Sequence, residues 1–384
     1  ISAGTQVGTY RVTIAMPGQV AEIFDNLALG LTGNAVWVAI ANAINNGSSL
    51  LRGPSAFVVA TAGAGTGAPA VGTTGQSQTF TAGTDGASAI TSAAMVGQDV
   101  VPRKGMYALR NTQTSIGMLA DLSDTATFSL QVAFGLSEGI YMIGTSPAGD
   151  SIANAVAVKA AAGIDSYAFK YLFGDWVYFN DTVNGQIRVI SPQGFIAGRL
   201  ANLAPQHSSL NKPLYGIVGT QKSYQNQVYS AAELQSLGQA GIDLITNPIP
   251  AGNMFGARFG HNSSSNPVTN GDNYTRMTNY LAYTFNAGMG LFVGQLQSQQ
   301  PTDPLRRKVG ATLSSFLTNM QQQVQLDDFT VQCDLNNNPP SRIALGYLQA
   351  DVNVRYLAVV EKFLINVQGG QSVQINRQST TLNS

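Results

Sequence analysis

Ser146 has the best local setting for nucleophilic chemistry in this chain. It lies in the turn Gly144-Thr145-Ser146-Pro147-Ala148-Gly149, directly after an apolar run that can bring a hydroxyl to the end of a strand. A serine hydroxyl becomes a good nucleophile only when a general base takes its proton. The only histidines, His207 and His261, both follow Ser146 along the chain. Of the two interpretations, a nucleophile and an ordinary turn, we expect the turn, and no catalytic residue.

Metal and cofactor chemistry has even less support. The two histidines, the single cysteine (Cys333) and the scattered carboxylates form no cluster with the spacing of metal ligands. Asp327 and Asp328 are adjacent, so on a strand their side chains would point apart. The segment GAGTG from Gly63 to Gly67 is like a phosphate-binding loop, but no Lys-Ser or Lys-Thr pair follows it. We expect no metal and no cofactor.

The densest basic cluster is Arg306, Arg307 and Lys308, at the start of a predicted helix. Asp303 is expected to cap this helix, with Pro304 in its first position. Its apolar residues fall at helical spacing and would face a core: Leu305, Val309, Leu313, Phe316, Leu317 and Met320. Cations are unfavourable near a helix N-terminus. We expect the cluster to lie on an exposed face and to be kept for a binding partner, the alternative being a solvated helix start.

The composition favours self-association. Charged residues make up 10% of the 384 residues, against roughly 25% in ordinary domains, and the formal net charge is +0. A nucleic acid or an anionic membrane would require a basic face, so we expect neither as a partner. The uncharged stretch from Met277 to Thr302 contains several amide side chains and is a poor membrane span. The chain begins at Ile1, and we expect a processed product or a part of a longer protein.

The C-terminal part is organised around the segment from Phe329 to Val367. Apolar residues alternate with polar ones along two predicted strands: Phe329, Val331, Cys333 and Leu335, then Leu348, Ala350, Val352 and Val354. The run Asn336 to Pro340 predicts the turn between them, since Asn tolerates left-handed backbone and Pro removes a hydrogen-bond donor. A third apolar run follows, Phe363 to Val367. The pattern predicts an antiparallel meander in an α+β domain.

The middle of the chain has an α/β pattern. Three apolar strands are predicted: Ser115 to Asp121, Ile140 to Thr145 and Tyr167 to Phe179. Two helices lie between them: Thr125 to Gly135 and Ser151 to Gly163. Ser123 or Asp124 would cap the first helix, and Asp150 the second. Strands separated by helices indicate right-handed crossovers and a mostly parallel sheet that is covered by helices. Downstream, Leu291 to Gln295 is a predicted short strand.

The opening part is a smaller β/α unit. Tyr10 to Met16 alternates as a strand. Gly33 to Asn46 predicts a helix, the alternative being a strand through Val36, Val38 and Ile40. A helical face is predicted for Val20, Ile23, Phe24 and Leu27, and a strand for Phe57 to Thr61. The Gly-, Ala- and Thr-rich stretch from Ala62 to Phe80 cannot bury enough surface to become ordered alone.

Several of these segments resemble contractile bacteriophage tail sheath proteins. The similar segments are the loop Gly83-Thr84-Asp85-Gly86, Ile196 to Arg199, Gly241 to Ile245, Asn253 to Arg258, and the CDLNNNP turn that begins at Cys333. The resemblance implies a structural subunit that polymerises helically around an inner tail tube and contracts to drive it through the host envelope. It also implies partners: identical subunits, the tube protein, and baseplate and tail terminator proteins. The tube protein is the partner that we expect Arg306, Arg307 and Lys308 to face. The location implied is the virion, after assembly in the host cytoplasm, and pyocin-like and secretion-system sheaths belong to the same class.

The alternatives belong to other classes. The middle domain of sheath proteins is described as subtilisin-like, but subtilisins carry Asp, His and Ser in that order, and here both histidines follow Ser146. A hydrolase is therefore disfavoured. A surface-array subunit would share the low charge, but it would need a signal peptide, and no signal pattern is present.

The resemblance and the patterns together predict four regions. They are an upstream β/α unit with its Gly-rich loop (1–82), an α/β middle domain (83–200), a C-terminal sheath domain (201–367) and an arm (368–384). In the arm, Val373 and Ile375 alternate with polar residues after Gly369-Gly370. This pattern is too short to be stable alone. We expect it to be donated as a strand to a neighbouring subunit, the alternative being a disordered terminus.

Overall fold

The computed structural model describes residues 1–16, 18–49, 52–71, 90–369 and 375–380. The chain divides into two compact units, Ile1–Ala87 and Ser88–Ser384. The boundaries predicted at residues 82, 200 and 367 stay predictions. In the described part of the chain, no helix is long and apolar enough to span a lipid bilayer.

The first unit packs one helix on a small antiparallel sheet. Its elements are β1 Ser2–Ala3, β2 Tyr10–Ile14, β3 Glu22–Leu27 and α1 Asn34–Asn46, with the sheet order β1-β2-β3. The prediction of a helical face from Val20 to Leu27 is wrong. The segment is a strand because Phe24 lies opposite Val12 in the ladder, and both side chains are buried against α1.

Residues 57–61 form no strand, so the strand predicted from Phe57 to Thr61 is also wrong. Side chains of α1 replace a neighbouring strand. Asn45 both donates to the Ala60 carbonyl (2.7 Å) and accepts from the Ala60 amide (2.8 Å). Trp37 donates its indole N–H to the carbonyl of Gly67 (2.6 Å). The described beginning of the Gly-rich stretch is thereby fastened to the helix.

The second unit mixes helices and strands, as predicted for an α/β and α+β chain. Its helices are α2 Ser92–Val96, α3 Phe128–Glu138, α4 Ile152–Ala161, α5 Gln193–Ala201, α6 Gln221–Tyr224, α7 Ala231–Gln239, α8 Asp272–Met289, α9 Pro304–Gln322 and α10 Pro340–Ala344. Its strands are β4 Ile116–Met118, β5 Tyr141–Thr145, β6 Phe169–Leu172, β7 Val177–Asp181, β8 Gln186–Ile190, β9 Ile217–Thr220, β10 Ile245–Thr246, β11 Gly256–Ala257, β12 Asp328–Gln332, β13 Asp351–Arg355, β14 Leu364–Gly369 and β15 Ile375–Thr380. Short 3-10 helices lie at Gly105–Leu109, Thr125–Thr127 and Gly290–Phe292.

A parallel sheet in the order β4-β5-β6 forms the centre of this unit. Strands β5 and β6 are buried, and the three strands are separated along the chain by α3 and α4, which confirms the predicted helix-covered parallel sheet. Asp243, two residues before β10, adds to the sheet through an isolated parallel bridge to Leu172 of β6. Asp124 caps the turn before α3, as predicted. The cap of α4 is Ser151 and not Asp150, because the Ser151 hydroxyl accepts the Asn154 amide.

The predicted strand Tyr167 to Phe179 is two strands, β6 and β7, in different sheets. The chain leaves the parallel sheet at Gly174, where a Cβ would lie 1.9 Å from the carbonyl oxygen of Pro147. Asp175 then accepts the Lys222 amide and the Tyr229 hydroxyl, each at 2.8 Å. These contacts turn the chain, and β7 pairs antiparallel with both β8 and β9.

Two further corrections concern the C-terminal half. Leu291 to Gln295 is not a strand: Phe292 alone enters the core, while Leu291 and Val293 stay exposed. The meander is not a three-stranded sheet either. β12 pairs antiparallel with β13, but β14 pairs with β15, because the intervening chain is held against α8 and the loop before it. The buried faces of β12 and β13 are the ones predicted.

Candidate subunit interface

Ser146 directly follows β5, at the carboxyl end of that strand. Ser146 is fully buried in the described structure, and no hydrogen bond joins its hydroxyl to a histidine. His261 instead places its Nε2 atom 2.8 Å from the Oε1 atom of Glu361. A serine hydroxyl that is not hydrogen-bonded to a general base is a poor nucleophile. Among the described residues, no group of three or more His, Cys, Asp or Glu side chains is placed to hold a metal ion.

We expect Ser146→Ala to leave any peptidase background of the purified protein unchanged. The physical reason is the lack of a general base beside Ser146. The check is release of a fluorescent group from casein, with Ser151→Ala as the matched control on the same loop. A background that Ser146→Ala removes and Ser151→Ala keeps would overturn this expectation.

A fully buried ion pair holds the C-terminal elements on the parallel sheet. Lys170 on β6 places its Nζ atom 2.5 Å from Asp243 Oδ2, 3.7 Å from Asp272 Oδ2 and 2.8 Å from the His261 carbonyl oxygen. All three charged side chains are completely buried. Asp243 also accepts the backbone amides of Leu244, Phe259 and Gly260 at 2.8–2.9 Å. Burial alone would raise the pKa of Asp243, but the Lys170 ammonium and these amides outweigh burial and lower it.

The start of α8 is fixed by the same cluster. Asp272, its first residue, accepts the backbone amide of Ser209 at 3.2 Å and also its hydroxyl. One turn later, Arg276 donates to carbonyls at and after the end of α5, namely those of Leu200 (2.7 Å), Leu203, Ala204 (3.4 Å) and His207 (3.1 Å). A guanidinium at a helix C-terminus satisfies carbonyls that have no partner within the helix. Helix α8 is thus anchored at its beginning to the rest of the unit. The elements that follow α8 along the chain are attached through it.

Helix α9 packs its predicted apolar stripe into the core, and Asp303 is its cap, accepting the Arg306 amide at 3.0 Å. The expectation that Arg306 lies on an exposed face is wrong. Arg306 is 1% exposed, and its guanidinium donates to the Ser298 carbonyl (2.7 Å) and to that of Gln300. It is buried because the loop before α9 folds over it and uses the guanidinium to satisfy its carbonyls.

The other two cations of the cluster are exposed. Arg307 donates to the Thr302 carbonyl at 2.9 Å, and Lys308 lies 5.9 Å from the centre of the Phe292 ring. Lys308 also lines one end of a groove between α8 and α9, whose other walls include Tyr280, Thr312 and Phe316. The surface available to a partner on this helix therefore carries two cations and not three.

The two-stranded sheet β12-β13 lies over α8 and α9 and presents an unpaired edge. Among the described residues, β13 has a hydrogen-bonded neighbour on one side only. The turn before it is fixed by Asn338, a fully buried residue, whose side-chain oxygen accepts the Gln349 amide (2.6 Å) and whose Nδ2 donates to the Gln349 carbonyl (2.8 Å). This side chain mimics a strand neighbour and sets where β13 begins.

An aromatic cavity of about 600 Å³ lies beside the end of β13. Val354, Arg355 and Tyr356 line it from the strand, and Tyr167, Tyr274 and Thr278 from the opposite wall. The rings of Tyr274 and Tyr356 stack with centres 6.0 Å apart. A strand edge with an adjoining pocket is the arrangement that accepts an added strand, since backbone bonds supply affinity and the pocket receives an alternate side chain.

The predicted donor strand lies partly outside the described residues. Val373 falls there, whereas Ile375 is the first residue of β15 and pairs with Gly369 of β14. The arm is therefore hydrogen-bonded within its own chain as a hairpin. A linker of residues 356–363 connects this hairpin to β13.

Sequence reasoning missed the buried cluster and the roles of Arg276 and Arg306. Lys170 had a signal, because it stands in the middle of the otherwise apolar run Tyr167 to Leu172. A cation on a buried strand requires a buried carboxylate. Nothing in the sequence pointed to which of the twenty acidic residues would supply it.

Comparison with known proteins finds structures but no sequence family. No family model matches the chain, and no curated protein matches it. One similar solved structure is the sheath complex of the extracellular contractile injection system PVC in its contracted state, with a TM-score of 0.56, 17% identity, and coverage of 70% of this chain and 75% of that chain. Another is the contracted helical sheath of the anti-feeding prophage (AFP), with a TM-score of 0.52, 15% identity, and 66% and 68% coverage.

The AFP baseplate structure, 6-fold symmetrised, also contains a similar chain, with a TM-score of 0.52 and 14% identity. The match spans 65% of this chain and 65% of that chain, so less than two thirds of the baseplate chain is covered. The resemblance inferred from the sequence motifs is confirmed at the level of the fold. This chain has the fold of the subunits that build contractile sheaths.

Proposed function

We propose that this protein is a structural subunit of a contractile sheath, and specifically of a phage tail. The shared fold with the PVC and AFP sheath chains is the observation that carries the proposal. The composition agrees with it, since a formal net charge of +0 gives little repulsion between copies. Neither a hydrolase nor a surface-array subunit is favoured, and the buried Ser146 is a further argument against the hydrolase.

The proposed subunit polymerises helically around an inner tail tube, between the baseplate and tail terminator proteins. Contraction would drive the tube through the host envelope during genome ejection, after assembly in the host cytoplasm. The anchoring of α8 by the buried Lys170 cluster suits a subunit that moves as a rigid body between two packings. Such a motion needs links between subunits that stay intact while the subunits move from one packing to the other.

The arm would supply these links by leaving its partner strand in its own chain and pairing with a strand of a neighbouring subunit. The hairpin of β14 and β15 is, in this proposal, the closed form of a donor strand that includes Val373 and Ile375. Opening the hairpin would let a subunit place this strand on the edge of β13 in a neighbour, with one apolar side chain in the tyrosine-lined cavity. Exchange of one element between identical chains costs little, because the bonds lost in one chain are regained in the next.

We propose that Arg307 and Lys308 face the inner tube. Reversing both charges (Arg307→Glu, Lys308→Glu) is expected to lower tube binding about tenfold or more, since two attractive contacts become repulsive. Co-sedimentation with the cognate tube, at two salt concentrations, measures the loss. The matched control is Arg103→Glu with Lys104→Glu, a basic pair elsewhere in the same unit. Unchanged tube binding of the α9 variant would contradict this assignment.

Sedimentation velocity across a concentration series tests the proposed self-assembly. We expect large polymers to grow at the expense of the monomer as the concentration rises. A single monomeric species at every concentration, with the fold intact by circular dichroism, would contradict the proposal.

A further inference from the structure

Two neighbouring loops in the C-terminal half expose large apolar side chains. Residues 290–302 lead from α8 towards α9, and residues 345–347 follow α10. Gln297 Nε2 of the first loop donates to the Tyr347 carbonyl of the second at 2.9 Å, so the two loops lie side by side. Their exposed apolar side chains are Leu291 (60%), Val293 (84%), Leu296 (96%), Leu345 (73%) and Tyr347 (60%). We call these five residues the tip patch.

Both loops are held in place by the core beneath them. Phe292 is buried in an apolar cluster that Leu348 also contacts, and their neighbours along the chain belong to the tip patch. The Tyr347 amide donates to the Arg342 carbonyl at 3.1 Å, which closes the turn after α10. Folding therefore fixes the two loops and leaves the side chains of the tip patch in water. A contiguous exposed apolar patch on a soluble protein marks an interaction site.

The charges beside the tip patch indicate the chemistry of its partner. Neither loop contains a charged side chain. Lys308 lies 5.9 Å from the centre of the Phe292 ring, and Arg307 donates to the Thr302 carbonyl at the end of the first loop. Neither cation forms an ion pair with another described residue, and the adjacent Asp303 is buried as the cap of α9. A complementary partner has an apolar surface that is flanked by carboxylates.

A second copy of this chain fits that description poorly. Most carboxylates in the described part of the chain already form ion pairs within it, so few of them are available to Arg307 and Lys308 of a neighbour. The inner tube is the better occupant, because the two cations that border the patch are proposed to face it.

We infer that the tip patch is the apolar anchor of the subunit on the inner tube, and that the tube carries a matching apolar surface flanked by carboxylates. This inference rests on the proposed function. The two cations at the rim would steer the encounter, and salt weakens such contacts. Apolar side chains that become fully covered at the centre of an interface supply most of its binding energy. The anchor should therefore hold at salt concentrations that screen Arg307 and Lys308.

Leu296→Ser and Val293→Ser, made singly in the full chain, test the anchor by co-sedimentation with the cognate tube. Each is expected to weaken tube binding about tenfold, the contribution of one apolar side chain that becomes buried. The loss should be as large at high salt as at low salt, whereas the loss caused by reversing Arg307 and Lys308 should shrink at high salt.

Val183→Ser is the matched control, because Val183 is 91% exposed on the turn between β7 and β8 of the same unit. It should bind the tube normally. The replaced side chains of all three variants are exposed in the monomer, so their melting temperatures should equal that of the unchanged chain. A loss of tube binding then comes from the missing contact and not from misfolding.

Tube binding by Leu296→Ser that equals that of the unchanged chain would overturn the anchor and leave the proposed sheath function intact. Three other results for this variant would also overturn it, because each identifies another occupant. Loss of self-assembly without the tube would indicate a second copy, and a lower melting temperature of the monomer a segment of the same chain. Loss of co-sedimentation with vesicles of phosphatidylcholine and phosphatidylglycerol would indicate a lipid surface. Failure of the unchanged chain to bind the tube would instead overturn the proposed function, and the anchor with it.

Discussion

Asp243→Ala is expected to destabilise the unit from residue 88 to 384 by about 3–5 kcal/mol, the usual cost of removing one partner of a buried ion pair. The change leaves the Lys170 ammonium buried without its nearest counter-ion and removes the acceptor of three backbone amides. The measurement is the free energy of unfolding in urea, followed by circular dichroism.

Asp327→Ala is the matched control. Its partner, Arg355, is 68% exposed, so water replaces the lost ion pair and the unfolding free energy should hardly change. If Asp243→Ala and Asp327→Ala unfolded at the same urea concentration, the buried cluster would not be what holds the C-terminal elements on the sheet.

The same carboxylate predicts how stability depends on pH. Because its pKa is lowered in the folded protein, Asp243 contributes stability above the ordinary aspartate range near pH 3.9. This contribution disappears as the pH falls through the lowered folded pKa. Asp243→Asn should therefore be less stable than the unchanged protein at pH 7, and the difference should shrink in acid.

Truncation after Gln368 is expected to abolish polymerisation and to leave the melting temperature of the monomer nearly unchanged. The truncation removes β15 and therefore the strand proposed to link neighbours. An isolated two-stranded hairpin adds little stability of its own. Its loss should therefore leave the melting temperature of the rest of the unit nearly unchanged. Light scattering gives the polymer yield, and calorimetry gives the melting temperature.

Truncation after Thr380 is the matched control, because it shortens the chain but keeps the whole of β15. It should polymerise normally. Polymers of unchanged yield from the chain that ends at Gln368 would show that the arm is not the link between subunits, and the proposed exchange on β13 would fail with it.

The sequence predicted most of what depends on local pattern. Helix α9 is an example, since Asp303, Pro304 and the spacing of its apolar residues determine its start and its buried face. The parallel sheet was predictable because its strands are mostly apolar and are separated by helices. The hydrogen-bonded turn before β13 was predictable from its run of Asn and Pro.

The failures concern contacts between residues that are far apart along the chain. Val20 to Leu27 fits helical spacing, but pairing with β2 makes it a strand. Arg306 belongs to an exposed basic cluster in sequence, yet a loop that precedes it folds over its guanidinium. Lys170, Asp243 and Asp272 meet only when the fold is complete. Local sequence carries no information about such long-range contacts. The candidate interface was predictable only through the resemblance to sheath proteins.

Electron microscopy of the concentrated full chain tests the central claim most directly. We expect tubes with helical order, in which a reconstruction shows a strand of one subunit on the edge of β13 in the next. Flat lattices would indicate a surface-array subunit, and dispersed monomers under conditions in which the chain is folded would contradict a sheath role.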